Sequence, residues 1–228
     1  PVGPGLYVVV RTRFFDDFLL RACRDGGVRQ VVLLASGMDA RAFRLPWPPG
    51  TRLYELDRPG VHAAKEDVLA RLGARANCDR CAIGADLEGA SWPRALLDAG
   101  YEAREPSAWL AEGLFFYLTK PAVHALLDAV GALATTGSYL GADLVGGDLL
   151  LSPVMRPLLE ALARRGVSGR FGTDDPEGLF AGHCWETEVF QPGGLGANYG
   201  RWPYPVMPRG IRGVPRLFLV RASRVRSG

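Results

Sequence analysis

Val31-Val32-Leu33-Leu34-Ala35-Ser36-Gly37-Met38-Asp39, followed after a proline-rich turn by Arg52-Leu53-Tyr54-Glu55-Leu56-Asp57, decides the fold. The first run is apolar and rich in β-branched residues, and it breaks at Ser36-Gly37. The second is strand-like and ends on an acid. A buried strand, a turn containing glycine, and an acid at the tip of the next strand form the nucleotide-binding half of a doubly wound sheet. Asp57 follows the glycine turn by about twenty residues, the spacing that suits a carboxylate accepting hydrogen bonds from a ribose diol.

Upstream, residues 10–24 read as a helix. Phe14, Phe15, Phe18, Leu19 and Ala22 share one face at helical spacing, while Arg11, Asp16, Asp17 and Arg21 sit off it. Gly26-Gly27 stops it. Downstream, Asp39 caps a short helix that Pro46 and Pro48 end. A helix over 59–72 turns Val61, Ala64, Val68 and Leu72 inward. A third strand runs from Cys81 to Leu87, and a helix spans 92–99. A fourth strand over 108–111 runs into Glu112-Gly113. Thr119 caps a helix with Pro121 in its first turn, and Ser138 to Val145 is a fifth strand.

Strict alternation of strand and helix implies a parallel sheet covered on both faces. Right-handed crossovers put the strand tips on one edge, where ligands bind. Those tips are Ser36-Gly37, Asp57, Asp86 and Glu112. Acids are poor strand residues, so carboxylates there point to a site. After Val145 the alternation stops. Residues 152–165 read as a helix outside the repeat, Gly172 to Glu177 as a helix start, and His183 to Gln191 as a strand. A Gly- and Pro-rich stretch over 192–215 leads to a last strand, Leu217 to Val220. No linker divides the chain, so residues 1–228 read as one domain, with 146–215 outside the repeat.

The 228 residues suffice for one sizeable core, and 48% are hydrophobic, as in an ordinary globular protein. No apolar run approaches the roughly twenty residues of a membrane span. Arg11 follows the short apolar N-terminal segment too closely for a signal peptide. Net charge is +3, with Lys65 and Lys120 the only lysines. The arginines are dispersed rather than gathered on one face, which excludes a nucleic-acid binder. Arg221, Arg224 and Arg226 read as a solvated end. Cys78-Asp-Arg-Cys81 has no second pair to complete a zinc site and leads into a strand rather than a helix. The four cysteines therefore read as structural thiols in a reduced, cytoplasmic setting.

S-adenosylmethionine (SAM) presents an adenine edge, a ribose diol, a carboxylate and an ammonium. Its site needs acids for the diol, ammonium and adenine amino group, a base for the carboxylate, and a glycine where backbone approaches closely. The tips supply these types. Arg11-Thr-Arg-Phe-Phe-Asp-Asp-Phe18, Leu34-Ala-Ser-Gly-Met-Asp39, Tyr54-Glu-Leu-Asp-Arg-Pro59, Gly84-Ala-Asp-Leu87 and Leu110-Ala-Glu-Gly-Leu-Phe-Phe-Tyr-Leu118 together resemble the motifs of the leucine carboxyl methyltransferase family. They are most similar to its bacterial branch of SAM-dependent O-methyltransferases. Phe171 to Glu177 and the tail from Tyr204 to Val220 resemble that branch too.

The resemblance implies a class I SAM-dependent methyltransferase sandwich, Rossmann-like, with a mostly parallel sheet, an antiparallel last strand and residues 146–215 covering the acceptor side. It implies that Arg11 pairs with the SAM carboxylate and Gly37 lines the amino-acid portion. Asp57 would take the ribose hydroxyls, Asp86 with Leu87 would read adenine, and Glu112 would sit near the ammonium. The activity implied is O-methylation of a carboxylate or hydroxyl of a small metabolite, in secondary metabolism. Two departures stand out. Ala35 occupies a position where the family carries glycine, and it serves if its φ is negative. The helical segment that precedes the arginine motif in the family is absent from these residues.

Each residue has a plainer reading. Arg11 can be a surface arginine, Asp57 a helix cap, and Asp86 a turn residue. Glu112, amid apolar neighbours, needs a partner in any case. His62 and His124 read as helix surface. His183 reads as a strand-edge residue, with a general base for an acceptor hydroxyl as the functional alternative. Tyr199, Trp202 and Tyr204 either line an acceptor pocket or pack the Pro-rich arm onto the core. Two other functions fit less well. A nicotinamide-dependent oxidoreductase lacks its Gly-x-Gly-x-x-Gly loop, and a non-catalytic SAM binder would share the donor site.

Overall fold

The computed structural model describes residues 4–164, 167, 170–211 and 213–225. In chain order the elements are α1 (Pro4–Arg24), β1 (Gln30–Leu34), α2 (Arg41–Arg44), β2 (Arg52–Asp57), α3 (Pro59–Leu72), β3 (Asp79–Gly84), α4 (Trp92–Asp98) and β4 (Ser107–Ala111). They continue with α5 (Lys120–Leu133), β5 (Tyr139–Val145), α6 (Gly147–Leu151), α7 (Arg156–Arg164), α8 (Pro176–Ala181), β6 (Trp185–Phe190) and β7 (Leu217–Arg224). Thr119 caps α5 by accepting the Ala122 amide at 3.3 Å, and Asp175 caps α8 through the Gly178 amide at 2.9 Å.

All seven strands form one sheet, in the order β3-β2-β1-β4-β5-β7-β6. Every strand but β7 runs parallel. The last strand inserts between β5 and β6 and opposes both. The central strand β1 is buried along its whole length. Val32 and Leu34 face a core formed with Trp92, Trp109 and the inner stripe of α5. Val31 and Leu33 face a second core built on Phe14, Phe15, Phe18 and Leu19 of α1. That helix lies tightly on β5 because Gly141 has no side chain: a Cβ there would sit 2.8 Å from the Phe18 ring. The phenylalanine face of α1 is as the sequence predicts, each ring being almost completely buried.

Several expectations change. The first helix starts at Pro4, six residues before the predicted start, because proline is tolerated in a first turn and tertiary packing overrides the low propensity of Val8-Val9-Val10. Asp16, read as off the packed face, is buried. α3 turns His62 and Lys65 inward, while Ala64 and Leu72 are exposed. His62 hydrogen-bonds the Ile83 carbonyl at 3.1 Å, and Lys65 pairs with buried Glu55 at 2.7 Å. A polar demand from β2 and β3 thus outweighs the apolar stripe. The helix expected over 152–165 opens as a 3-10 turn at Pro153–Met155 and is helical only over α7, with α6 preceding it; residue 165 lies outside the described residues.

Arg221 and Arg224, read as part of a solvated end, are packed instead. β7 runs to Arg224, whose guanidinium donates to the Cys184 and Gly131 carbonyls at 3.2 and 2.9 Å. Arg221 stacks on Phe14 and Phe190, 4.3 and 4.8 Å from the ring centroids. Arg226 lies outside the described residues. No helix among the described residues is long and apolar enough to cross a membrane.

Cys23, Cys78, Cys81 and Cys184 are free thiols, and among the described residues no cluster of His, Cys, Asp and Glu could hold a metal. Burial pushes the Cys23 thiol up to about 12 and the Cys78 thiol up to about 11. Both are therefore thiols at neutral pH, and nucleophilic attack needs the thiolate. At pH 8 a disulfide reagent is expected to label these two at least tenfold more slowly in the native protein than in guanidinium chloride. Rapid labelling of Cys78 in the native state would restore a reactive reading of the C-x-x-C.

Candidate cofactor site

The turn after β1 builds the site. Ala35 stands at φ +52° and Gly37 at +51°. The Ser36 amide donates to the Leu56 carbonyl at 3.0 Å, which folds the turn toward the tip of β2. The Gly37 amide then reaches Asp57 Oδ2 at 2.7 Å, and the Arg58 amide reaches Oδ1 at 2.7 Å. Each oxygen of Asp57 spends one lone pair on backbone and keeps another. That carboxylate is aimed before any ligand arrives, as a diol acceptor must be.

The sequence has Ala35 serving if its φ is negative, and in the structure its φ is positive. A Cβ in the left-handed region costs about 1–2 kcal/mol. The turn requires that conformation, so the chain carries strain where glycine would carry none. Ala35→Gly is expected to stabilise the fold by about 1 kcal/mol, raising Tm by roughly 2–4 °C. An unchanged or lower Tm in differential scanning calorimetry would show that the backbone there is not strained.

At the tip of β4, Glu112 lies between two arginines. Its Oε1 takes Arg11 Nε at 2.9 Å, and its Oε2 takes Arg41 Nη2 at 2.7 Å. Arg11 Nη1 pairs with Asp143 of β5 at 2.9 Å. Asp143 also accepts the Tyr7 hydroxyl at 2.9 Å and the Gly113 amide at 2.5 Å. Arg41 further binds Asp16 at 2.8 Å and pairs with Asp39, and Arg44 binds the other oxygen of Asp16 at 2.5 Å. A continuous chain of ion pairs thus ties α1, the turn after β1, β4 and β5 together.

The protonation states follow from this setting. Burial works against the Arg11 charge, but Asp143, then Tyr7 and Glu112, outweigh it and push its pKa up. Burial also opposes the Arg41 charge, and Asp39, Glu112 and Asp16 more than offset it. Burial first, and Asp143 second, hold the Tyr7 phenol well above its usual range, so it is a hydroxyl donor.

These groups line a cavity of about 310 Å³ with walls from Arg11, Thr12, Ala35, Ser36, Asp39 and Glu112. Ser36 Oγ is buried there with no hydrogen-bond partner among the described residues, and a Cβ at Gly37 would meet nothing within 4 Å. An unpartnered hydroxyl, open space over the glycine, arginines and the carboxylates of Asp39 and Glu112 fit a nucleoside with an amino-acid tail. The predicted Arg11, Gly37, Asp57 and Glu112 come together at this edge. Asp86 is exposed on the neighbouring tip, its Oδ1 accepting the Glu88 amide at 3.0 Å, and Leu87 packs against the core beside it.

Other predicted residues lie elsewhere. His183 precedes β6, which runs parallel to β5, so it sits at the opposite edge of the sheet. It pairs there with Asp128 at 2.7 Å and with His124 at 2.9 Å, which also takes His124 off the bare helix surface. That position removes it as a base for an acceptor at the tips. Tyr199 and Trp202 pack on the core under α1, and Tyr204 meets Trp202 edge to face at 5.8 Å. None of the three lines the tip cavity. Asp143, Arg41, Asp16, Asp39 and Tyr7 were not singled out from sequence. Asp143 did carry the signal that exposed Glu112, an acid in an otherwise apolar strand. The others had none, since loop arginines and helix acids are usually solvated.

A seven-stranded sheet of this order, with one antiparallel strand within it, is the class I methyltransferase fold. The chain belongs to the leucine carboxyl methyltransferase family, which residues 4–131 match. A Streptomyces coelicolor relative named "Putative S-adenosyl-L-methionine-dependent methyltransferase" is 41% identical over 209 residues, covering 89% of this chain and 70% of its own. A Mycobacterium avium relative of the same name is 38% identical over 235 residues, covering 96% of this chain and 73% of its own. Among solved structures, a DUF574 family protein from Streptomyces avermitilis superposes with a TM-score of 0.66 at 16% identity, over 95% of this chain and 83% of that one. Human N-acetylserotonin methyltransferase in complex with SAM gives 0.57 at 10% identity, over 96% and 55%. These likenesses are of fold.

Proposed function

We propose that the protein transfers the methyl group of SAM to a carboxylate or hydroxyl oxygen of a small molecule. The observation that carries this reading is the tip cavity, where Arg11 and Glu112 stand beside the turn that aims Asp57. Arg11 keeps Nη2 outside its ion pairs and would hold the cofactor carboxylate. Glu112 would face the ammonium, Asp57 the ribose diol, and Asp86 with Leu87 the adenine edge. When bound, SAM supplies an electrophilic methyl on a sulfonium. The protein's part is to place an acceptor oxygen in line with it and exclude competing water.

Among the described residues lining the cavity there is no histidine or lysine, and its carboxylates are engaged by arginines. An acceptor oxygen that is already ionised, a carboxylate first and an acidic phenol second, would need no base. Of the expected cover over 146–215, the helices that follow the β5 tip, α6 and α7, would cover the acceptor, whereas His183, Tyr199 and Trp202 lie elsewhere. β6 falls within that range and belongs to the sheet.

Calorimetry with S-adenosylhomocysteine tests the donor, and labelled SAM with a panel of small carboxylic acids and phenols tests the acceptor. Methyl esters are lost in mild base and aryl ethers are not, so the two acceptors separate. A folded protein that bound neither SAM nor its product would sink the proposal.

A further inference from the structure

We propose that Arg41 is a positioning residue for the cofactor: it acts through Glu112, locking that carboxylate and the Asp39 turn onto α1. The proposal rests on the SAM reading above and goes beyond it, because Arg41 itself is not assigned to the ligand.

The guanidinium is 2% exposed and spends each nitrogen on a different element. Nε goes to Asp16 of α1 at 2.8 Å, Nη1 to Asp39 of the turn, and Nη2 to Glu112 at the β4 tip at 2.7 Å. Nη2 also approaches the Thr12 carbonyl at 3.4 Å. The main chain joins in, since the Arg41 amide donates to Asp39 Oδ1 at 2.6 Å and its carbonyl accepts Trp47 Nε1 at 2.9 Å. Glu112 is therefore gripped at both oxygens, by Arg11 and by Arg41, and its plane is fixed. Without Arg41 one oxygen would swing free, and the carboxylate would have to be reordered on binding.

Buried ion pairs add little net stability, because desolvation offsets the attraction. What a planar, three-pronged donor adds is geometry. A lysine keeps the charge but is a point donor, and it cannot reach three carboxylates lying in three directions. Arg41→Lys is thus expected to fold and to lose cofactor affinity.

Four proteins decide the matter: wild type, R41K, E112Q and the double variant, each measured for S-adenosylhomocysteine binding by calorimetry and for Tm. R41K is expected to bind at least tenfold more weakly. If Arg41 works through Glu112, the double variant binds no more than twofold worse than E112Q, since the same contact is lost once. A purely structural role would instead make the two losses multiply. That result, or R41K binding within twofold of wild type, overturns the proposal. Should R41K not fold, Asp16→Ala removes the Nε acceptor while leaving the arginine in place. It is expected to weaken binding at least threefold, and wild-type affinity in that variant would overturn the proposal equally. A wild-type protein that binds no S-adenosylhomocysteine sinks the cofactor reading itself. R41K at wild-type affinity leaves that reading standing and removes only Arg41.

Discussion

Asp57→Ala is expected to leave a folded protein that no longer binds SAM or S-adenosylhomocysteine measurably, a loss of at least about 100-fold. The carboxylate is half-buried and anchored by two backbone amides at 2.7 Å each. Removing it takes away the diol acceptor and also releases Gly37, whose amide holds the turn after β1. Hydrogen bonds to a charged group contribute about 1.5–3 kcal/mol each, so losing two with the ligand gives about 3–6 kcal/mol. Asp57→Asn keeps one acceptor oxygen and is expected to fall in between, near tenfold. Calorimetry on both variants, with circular dichroism to confirm folding, decides it. Wild-type affinity in the alanine variant would move the ribose elsewhere and leave Asp57 as a cap of the turn.

The largest effect on stability is expected at Glu55, on the same strand two residues earlier. Its side chain is fully buried and accepts Lys65 Nζ and Arg80 Nη2 at 2.7 Å each. Lys65 is 3% exposed, so this is an interior charge pair on the face away from Tyr54 and Leu56. Replacing Glu55 by leucine strands the lysine in an apolar surrounding, at a cost of about 3–5 kcal/mol and roughly 10 °C in Tm. Replacing both, as Glu55→Leu with Lys65→Met, should recover part of that loss, because a packed apolar pair replaces two of the three ions while Arg80 keeps Glu66. Thermal and urea unfolding of the single and double variants test this. A loss below about 1 kcal/mol in the single variant would mean that water reaches the pair.

These two residues show where sequence reading succeeds. Asp57 was legible because a strand tip after a glycine turn is a local pattern, set by a few neighbouring residues. Glu55 sits in the same run and was not legible, since nothing nearby in the chain announces that α3 would present a lysine to it. Glu112 was singled out because an acid among apolar residues needs a partner, but that partner could not be named from position. Arg11 lies 101 residues away and Arg41 on yet another element. The stripe on α3 misled for the same reason: helical spacing reports which residues are apolar, not which polar residues a buried carboxylate will recruit. Tyr199 and Trp202 had two destinations in sequence, and only the packing of their arm under α1 chose one.

By itself the sequence determined the alternation of strands and helices, the parallel sheet, the edge on which its tips gather, and the acids at those tips. Each depends on periodicity or turn chemistry within a few residues. Only the tertiary structure decided the ion-pair chain from Tyr7 through Asp143, Arg11, Glu112 and Arg41 to Asp16, the inward turn of His62 and Lys65, and the exile of His183 to the far edge. It also placed Ala35 in the left-handed region, where the sequence allowed either sign of φ. The physical reason is common to the polar residues among them. A charged or polar side chain carries no record of its partner, and the pairing is settled only when long-range packing removes water from around it.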